Sequence, residues 1–175
     1  MKSTRRYKIL FSFLGLIALF SVHNLLPEPS LQEGINIDSL VVRKAQRQLL
    51  AYSHGGIVKT YIVALGSNPM GDKEFEGDCR TPEGNYFINE KSAESRFHKN
   101  LGISYPNSSD SAHAQELGKQ PGGDVKIHGL RNGIGLLGRF HRYFDWTLGC
   151  IALTNSEIDE LYHSVEVGTP ITITP

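Results

Sequence analysis

Asp145-Trp146-Thr147-Leu148-Gly149-Cys150-Ile151-Ala152-Leu153-Thr154-Asn155 sets a thiol directly behind a glycine and ahead of an apolar run. Glycine at that place permits a tight turn and the close approach of a substrate backbone. A cysteine attacks a carbonyl when a neighbouring base or positive charge supplies the thiolate. The best candidate base is His128, which ends the strand-like run Val125-Lys126-Ile127-His128 and is followed by Gly129. Cys150 and His128 are 22 positions apart, so only the fold can join them. Taken alone, such a cysteine is more often a small buried hydrophobe.

The segments on either side read mainly as strands joined by turns. Leu49 to Tyr52 and Ile57 to Leu65 flank His54-Gly55-Gly56 and predict a hairpin around a glycine turn. Val41 to Gln48 is ambiguous between helix and strand, since periodicity cannot settle so short a stretch. Gly66 to Asp78 reads as a polar loop, and Thr81-Pro82-Glu83-Gly84 as a turn leading into Tyr86-Phe87-Ile88. Leu101 to Tyr105 predicts a short strand and Ser111 to Leu117 a short helix. Thr154-Asn155-Ser156-Glu157 has the capping-box pattern, ahead of a helix through Ile158, Leu161, Tyr162 and Val165. Gly168-Thr169-Pro170 then turns into a last alternating strand, Ile171 to Thr174. This predicts one mainly β domain with one or two short helices, over residues 37–175.

Residues 1–26 read as an address. Lys2, Arg5, Arg6 and Lys8 precede Ile9 to Val22, which carries no charge, and Leu25 and Leu26 extend the run. A basic start followed by such a run is an export signal peptide or a signal anchor in the membrane. No small-x-small pair marks a cleavage point, which favours the anchor, although the span is short for a bilayer. Residues 27–36, with Pro27, Pro29 and Gly34, predict a linker. The expected location is the periplasm or cell envelope.

Composition narrows the function. The 175 residues hold 18 Lys+Arg against 18 Asp+Glu, and removing the basic start leaves 14 against 18. Such a balance does not suit a general nucleic-acid binder, which relies on clustered bases. Two cysteines are too few for a disulfide scaffold. None of His23, His54, His98, His113, His128, His141 and His163 falls in a metal-binding spacing, so no metal and no cofactor is expected.

Ile127-His128-Gly129, followed by Thr147-x-Gly149-Cys150-Ile151, resembles the signature of the L,D-transpeptidase catalytic domain (YkuD-type) family. Further matches are Tyr61 to Gly66 with Asn68-Pro69, Gly77-Asp78, Thr81 to Gly84 with Tyr86, Tyr105-Pro106-Asn107 and Gly168-Thr169-Pro170. The Asp-Trp-Thr-x-Gly-Cys run most resembles the YafK-like murein transpeptidase branch. The resemblance implies a β-sandwich or barrel and a transferase of peptidoglycan biosynthesis, cell wall organisation and cell shape. Its partners are peptidoglycan stem peptides. Cys150 is then the thiol nucleophile, which forms a thioester with the stem, and His128 the general base and acid. The Gly129 carbonyl orients the imidazole, and the N–H groups of Gly149 and Cys150 face the oxyanion. Thr147, Tyr105, Arg131 and Arg142 are the candidates for substrate contact.

Three departures from the family pattern stand out. Leu148 replaces a His, Ala152 replaces an Arg, and the segment between His128 and Thr147 is long. Arg131, Arg139 or Arg142 in that segment is the expected substitute for the missing Arg in holding a substrate carboxylate. Gly133 to Gly138 reads as a flexible lid or a packing loop. His141 competes with His128 as base, while Tyr86, Tyr105 and Trp146 read as core or as stacking surfaces. Cys79 is an incidental thiol or a disulfide partner of Cys150. Two other functions stay open: a cysteine hydrolase of the same linkages (an L,D-carboxypeptidase or an amidase), and a non-catalytic peptidoglycan-binding domain.

Overall fold

A computed structural model describes residues 13–16, 18–22, 24, 26 and 28–175. The basic residues Lys2, Arg5, Arg6 and Lys8 and the first part of the expected signal or anchor lie outside the described residues. Residues 13–16, 18–22 and 24 are helical, and no helix among the described residues is long and apolar enough to cross a membrane.

Among the described residues eight strands, numbered in chain order, form one sheet in the order β3-β2-β1-β8-β4-β5-β6-β7. They are β1 Ser39–Arg43, β2 Gln48–Ser53, β3 Gly56–Ile62, β4 Gly84–Ser95, β5 His98–Ile103, β6 Lys126–His128, β7 Ile151–Ala152 and β8 Pro170–Thr174. The sheet rolls until its two ends meet: Ala64, just past β3, exchanges both backbone hydrogen bonds with Ala152 of β7, at 3.0 and 2.8 Å. The expected sandwich or barrel is thus one curled sheet in the manner of a half-barrel. Alternation drives the curl, as Ile171 and Ile173 of β8 point into the core while Thr172 and Thr174 do not. Val42, Leu49, Tyr61, Ile88, Leu101, Ile127, Ile151 and Leu153 complete a closed apolar interior.

Several local elements follow from their residues. The β2–β3 turn puts His54 and Gly55 at φ +51° and +78°, the backbone that a two-residue hairpin demands. Val41 to Gln48 is strand, turn and strand, because Val42 and Leu49 face the core and Lys44 turns inward from the bend. The buried Lys44 ammonium donates to the Thr81 carbonyl (2.8 Å) and the Glu83 carboxylate (2.7 Å), tying β1 to the Thr81 turn. Helix α1 runs Ser108–Glu116, three residues ahead of the expected start, since Asn107 and Asp110 form a reciprocal capping box. Helix α2, Asn155–Ser164, opens on the expected box of Thr154 and Glu157 and buries Ile158 and Leu161.

The stretch expected to be a linker is docked. Leu31 and Ile37 are buried, Ile35 packs against the core, and the Pro29 carbonyl accepts from Lys59. Glu28 pairs with Arg139 (3.1 Å) and Arg142 (2.8 Å). Those arginines belong to a kinked 3-10 segment, Gly135–Tyr143, while the stretch expected as a lid or packing loop, Gly133 to Gly138, leaves Ile134, Leu136 and Leu137 exposed at its start. Just beyond Tyr143, Asp145 accepts from the Leu65 N–H (2.9 Å) and from Arg47 (2.8 Å). We expect Asp145→Ala to lower stability by about 2 kcal/mol, because it strands a backbone N–H that water cannot freely reach. Urea unfolding should show the midpoint falling with an unchanged slope.

Candidate active site

The parallel pairing of β6 with β7 sets the site. Ile127 lies opposite Ile151 and His128 opposite Ala152, which places Cys150 beside Lys126. Both isoleucines are fully buried, so the alternate positions, Cys150 and His128, share the other face. Diagonal neighbours of this kind sit roughly 7–8 Å apart at the backbone, within reach of each other's side chains. Cys150 and His128 line one cavity of about 380 Å³, with Phe97, Asn100, Asp124, Lys126, Trp146, Thr147 and Leu148. A second cavity of about 370 Å³, on the Gly122–Val125 side, also reaches Cys150 and Leu148.

His128 is held on three sides. Its Nδ1 lies 2.7 Å from the Gly129 carbonyl, which leaves Nε2 for the cavity. Phe97 stacks on the ring at 4.6 Å, and Trp146 meets it edge-on at 5.8 Å. Gly129 is closely surrounded, since a Cβ there would sit 2.8 Å from Asn155 Oδ1 and 3.0 Å from Ile158 and would have to displace both side chains. Burial holds the imidazole below its usual range, against the pull of the Gly129 carbonyl, and the Lys126 charge adds to the lowering. Burial likewise pushes the Cys150 thiol up; a backbone hydrogen bond from Lys126 opposes that and the Asp124 charge adds to it. At neutral pH the resting pair is therefore an uncharged thiol beside an uncharged imidazole.

The loop before the thiol is fixed by Thr147. Its hydroxyl donates to the Cys150 carbonyl (2.7 Å) and accepts from the Gly149 N–H (3.1 Å). Its own backbone is laced to Leu65 and Ser67. The expected substrate contact at Thr147 is thus a side chain spent on the loop, although the residue does line the cavity. The expected oxyanion donor at Gly149 likewise has an internal partner. Gly149 takes φ +134°, and a Cβ there would lie 2.7 Å from the Arg80 carbonyl, so no other residue fits.

The structure does not bring Tyr105, Arg131 or Arg142 to the cavity. Tyr105 is buried with its hydroxyl on the Pro121 carbonyl (2.9 Å) and its ring against Tyr86. Arg142 is occupied by Glu28 and by the buried Glu157, whose partnership with Thr154 starts α2. Arg139 is likewise tied to Glu28, and Arg131 is exposed away from the cleft lining. His141 is buried with both ring nitrogens unpartnered and stands edge-on to Trp146. Burial, then the charges of Arg142 and His128, push it down to about 3, which leaves it behind Trp146 as a neutral packing ring. Cys79 and Cys150 are both free thiols, so the expected alternative of a disulfide is not present. Ala152 is fully buried against Ala64, where an Arg side chain would have no room. Leu148 is 79% exposed between the two cavities. Phe97, Asn100 and Arg96 at the cavity were missed by sequence reasoning. Asn100 pairs in register with His128, a relation that only the β5–β6 alignment reveals.

Residues 37–173 match the YkuD model, the L,D-transpeptidase catalytic domain. The chain belongs to the L,D-transpeptidase catalytic domain family. It is 31% identical over 128 residues to YafK of Escherichia coli (strain K12), a match that covers 70% of this chain and 44% of that protein. The helical cell shape determining protein Pgp2 (K307A mutant) of Campylobacter jejuni superposes with a TM-score of 0.57 at 25% identity, over 86% of this chain and 50% of that one. The L,D-transpeptidase of Xylanimonas cellulosilytica shares the fold, with a TM-score of 0.51 at 13% identity, over 85% and 65% of the two chains. The chain thus spans less than half of the curated relative's length.

In this L,D-transpeptidase domain the resting thiol is uncharged, and its alkylation should follow that state. The rate with iodoacetamide should keep rising above pH 9, the ordinary thiol value, with no plateau near neutrality. A rate that levels off below pH 7 would instead mark a preformed thiolate–imidazolium pair.

Proposed function

We propose that the chain is a peptidoglycan L,D-transpeptidase acting through a cysteine thioester. The observation that carries this reading is the meeting of Cys150 and His128 in one cavity, with the imidazole tautomer set by the Gly129 carbonyl. Cys150 Sγ attacks the carbonyl of an L-configured centre in a stem peptide as its proton passes to His128 Nε2. Collapse of the tetrahedral intermediate breaks the amide bond, and His128 returns the proton to the departing amine of the terminal D-residue. An acceptor amine then attacks the thioester, gives its proton to His128 and restores the thiol. Because the Gly149 N–H is engaged by Thr147, the oxyanion falls to the Cys150 N–H, with Thr147 fixing that peptide. One such donor contributes about 3–4 kcal/mol in other acyl-transfer enzymes.

Charge at the cleft suits an acidic peptide. Arg96 is an exposed cation on the lining, in place of the arginines expected from the long segment, and it would hold a stem carboxylate. Lys126, beside the thiol in register, is neutralised by Glu90 and Asp124 and serves the backbone geometry instead. The likeness to the helical cell shape determining protein Pgp2 of Campylobacter jejuni supports a role in wall remodelling. The apolar run and basic start of the sequence support placement in the periplasm, held by the N-terminal segment.

Intact-mass analysis after exposure to purified muropeptides tests the reading. A covalent adduct equal to the donor stem less its terminal residue should form on wild type and be lost in Cys150→Ala. Crosslinked product should accumulate when acceptor stems are present. His128→Gln should slow adduct formation by about 10²–10⁴-fold. Shortened stems alone would identify the hydrolase, and binding without any adduct the non-catalytic domain.

A further inference from the structure

The stretch 134–144, within the segment between His128 and Thr147, is built inside out. Its polar side chains face inward: His141 is buried, and Arg142 is closed in by Glu28 and Glu157. Its apolar side chains face outward: Leu136 is 90% exposed and Phe144 75%, with Ile134, Leu137 and Tyr143 also exposed. Single exposed apolar residues are ordinary on a protein surface, but five within eleven positions are a patch with a purpose. The patch is continuous with the N-terminal helix. Phe20 packs on Phe140 (5.6 Å between centroids) and on Tyr143 (5.4 Å), and Arg139 donates to the Leu26 carbonyl (2.8 Å). The helix exposes Phe13, Leu14, Leu16, Leu19 and Val22 in the same way.

We propose that residues 134–144 form a second membrane contact, seated in the headgroup and upper acyl region of the bilayer that takes the apolar N-terminal run. The occupant is a lipid surface for three reasons. The patch continues a charge-free apolar stretch with four bases ahead of it, the chemistry of a membrane segment. It offers leucines with a tyrosine and a phenylalanine at its border, the residue types that settle at a lipid–water boundary. Its arginines, Arg139 and Arg142, are neutralised from within by Glu28 and Glu157, so neither has to be dehydrated unpaired. The docked stretch from Glu28 to Ile35 then holds the cleft at a fixed height and tilt above the membrane. This inference is independent of the reaction assigned to Cys150 and rests on the N-terminal run entering the bilayer.

Full-length Leu136→Trp, Phe144→Trp, Phe13→Trp and Val167→Trp proteins should be reconstituted in phosphatidylethanolamine–phosphatidylglycerol vesicles with brominated acyl chains. Wild type, with Trp146 alone, supplies the background. The added tryptophans at 13, 136 and 144 should each lose about half of their emission, and the one at 167 should keep it. Quenching at 13 without quenching at 136 and 144 overturns the second contact while leaving the anchor. No quenching at 13 overturns the anchor and the proposal with it. Shielding of 136 and 144 from aqueous iodide without bromine quenching marks a second copy of the chain on this face, and also overturns it. Turnover of soluble muropeptides by the same four variants reports separately on the reading of Cys150.

Discussion

Everything at the site hangs on a parallel pairing only two residues long. β7 has no length of its own to resist fraying, and it is secured by its neighbours. Ala152 bonds both ways with Ala64, the Leu153 N–H donates to the His128 carbonyl, and the buried Ile127 and Ile151 anchor the pair from below. Closure of the rolled sheet and alignment of Cys150 with His128 are therefore one event. A strand slip of one residue would send the sulfur into the core and an isoleucine into the cleft.

Glycine and threonine do the fine placement around that pairing. Gly149 and Gly129 admit backbone or side-chain contacts that any Cβ would block, and Thr147 occupies the donor and acceptor that a free loop would offer to water. Asp145 and Glu157 act at a longer range, one tying the loop to Leu65 beyond β3 and to Arg47, the other joining the α2 cap to the long segment through Arg142. The aromatic ring sequence from His128 through Trp146 to His141 then carries that long segment's packing to the imidazole.

Much of this was legible from residues whose meaning is local. The His54-Gly55 turn, the Thr154–Glu157 box and the alternation in Ile171 to Thr174 each declare their own backbone. Cys150 and His128 could be singled out by type, and the ordered family matches placed them together. Other roles were hidden because they depend on partners far away in the chain. Arg142 looks like a substrate ligand until Glu28 and Glu157 are found beside it, and Thr147 until its own loop closes. Asn100 and Phe97 carry no motif, and their place at the cleft follows from strand register alone. The start of α1 is written in the cap spacing of Asn107 and Asp110, which the serines behind them obscure.

The uncharged state of the resting sulfur has a consequence beyond turnover. Peroxide attacks thiolates far faster than thiols, so a permanently ionised Cys150 would drift towards sulfenic and sulfinic acid. Burial, by holding the sulfur protonated, slows that oxidation at Cys150.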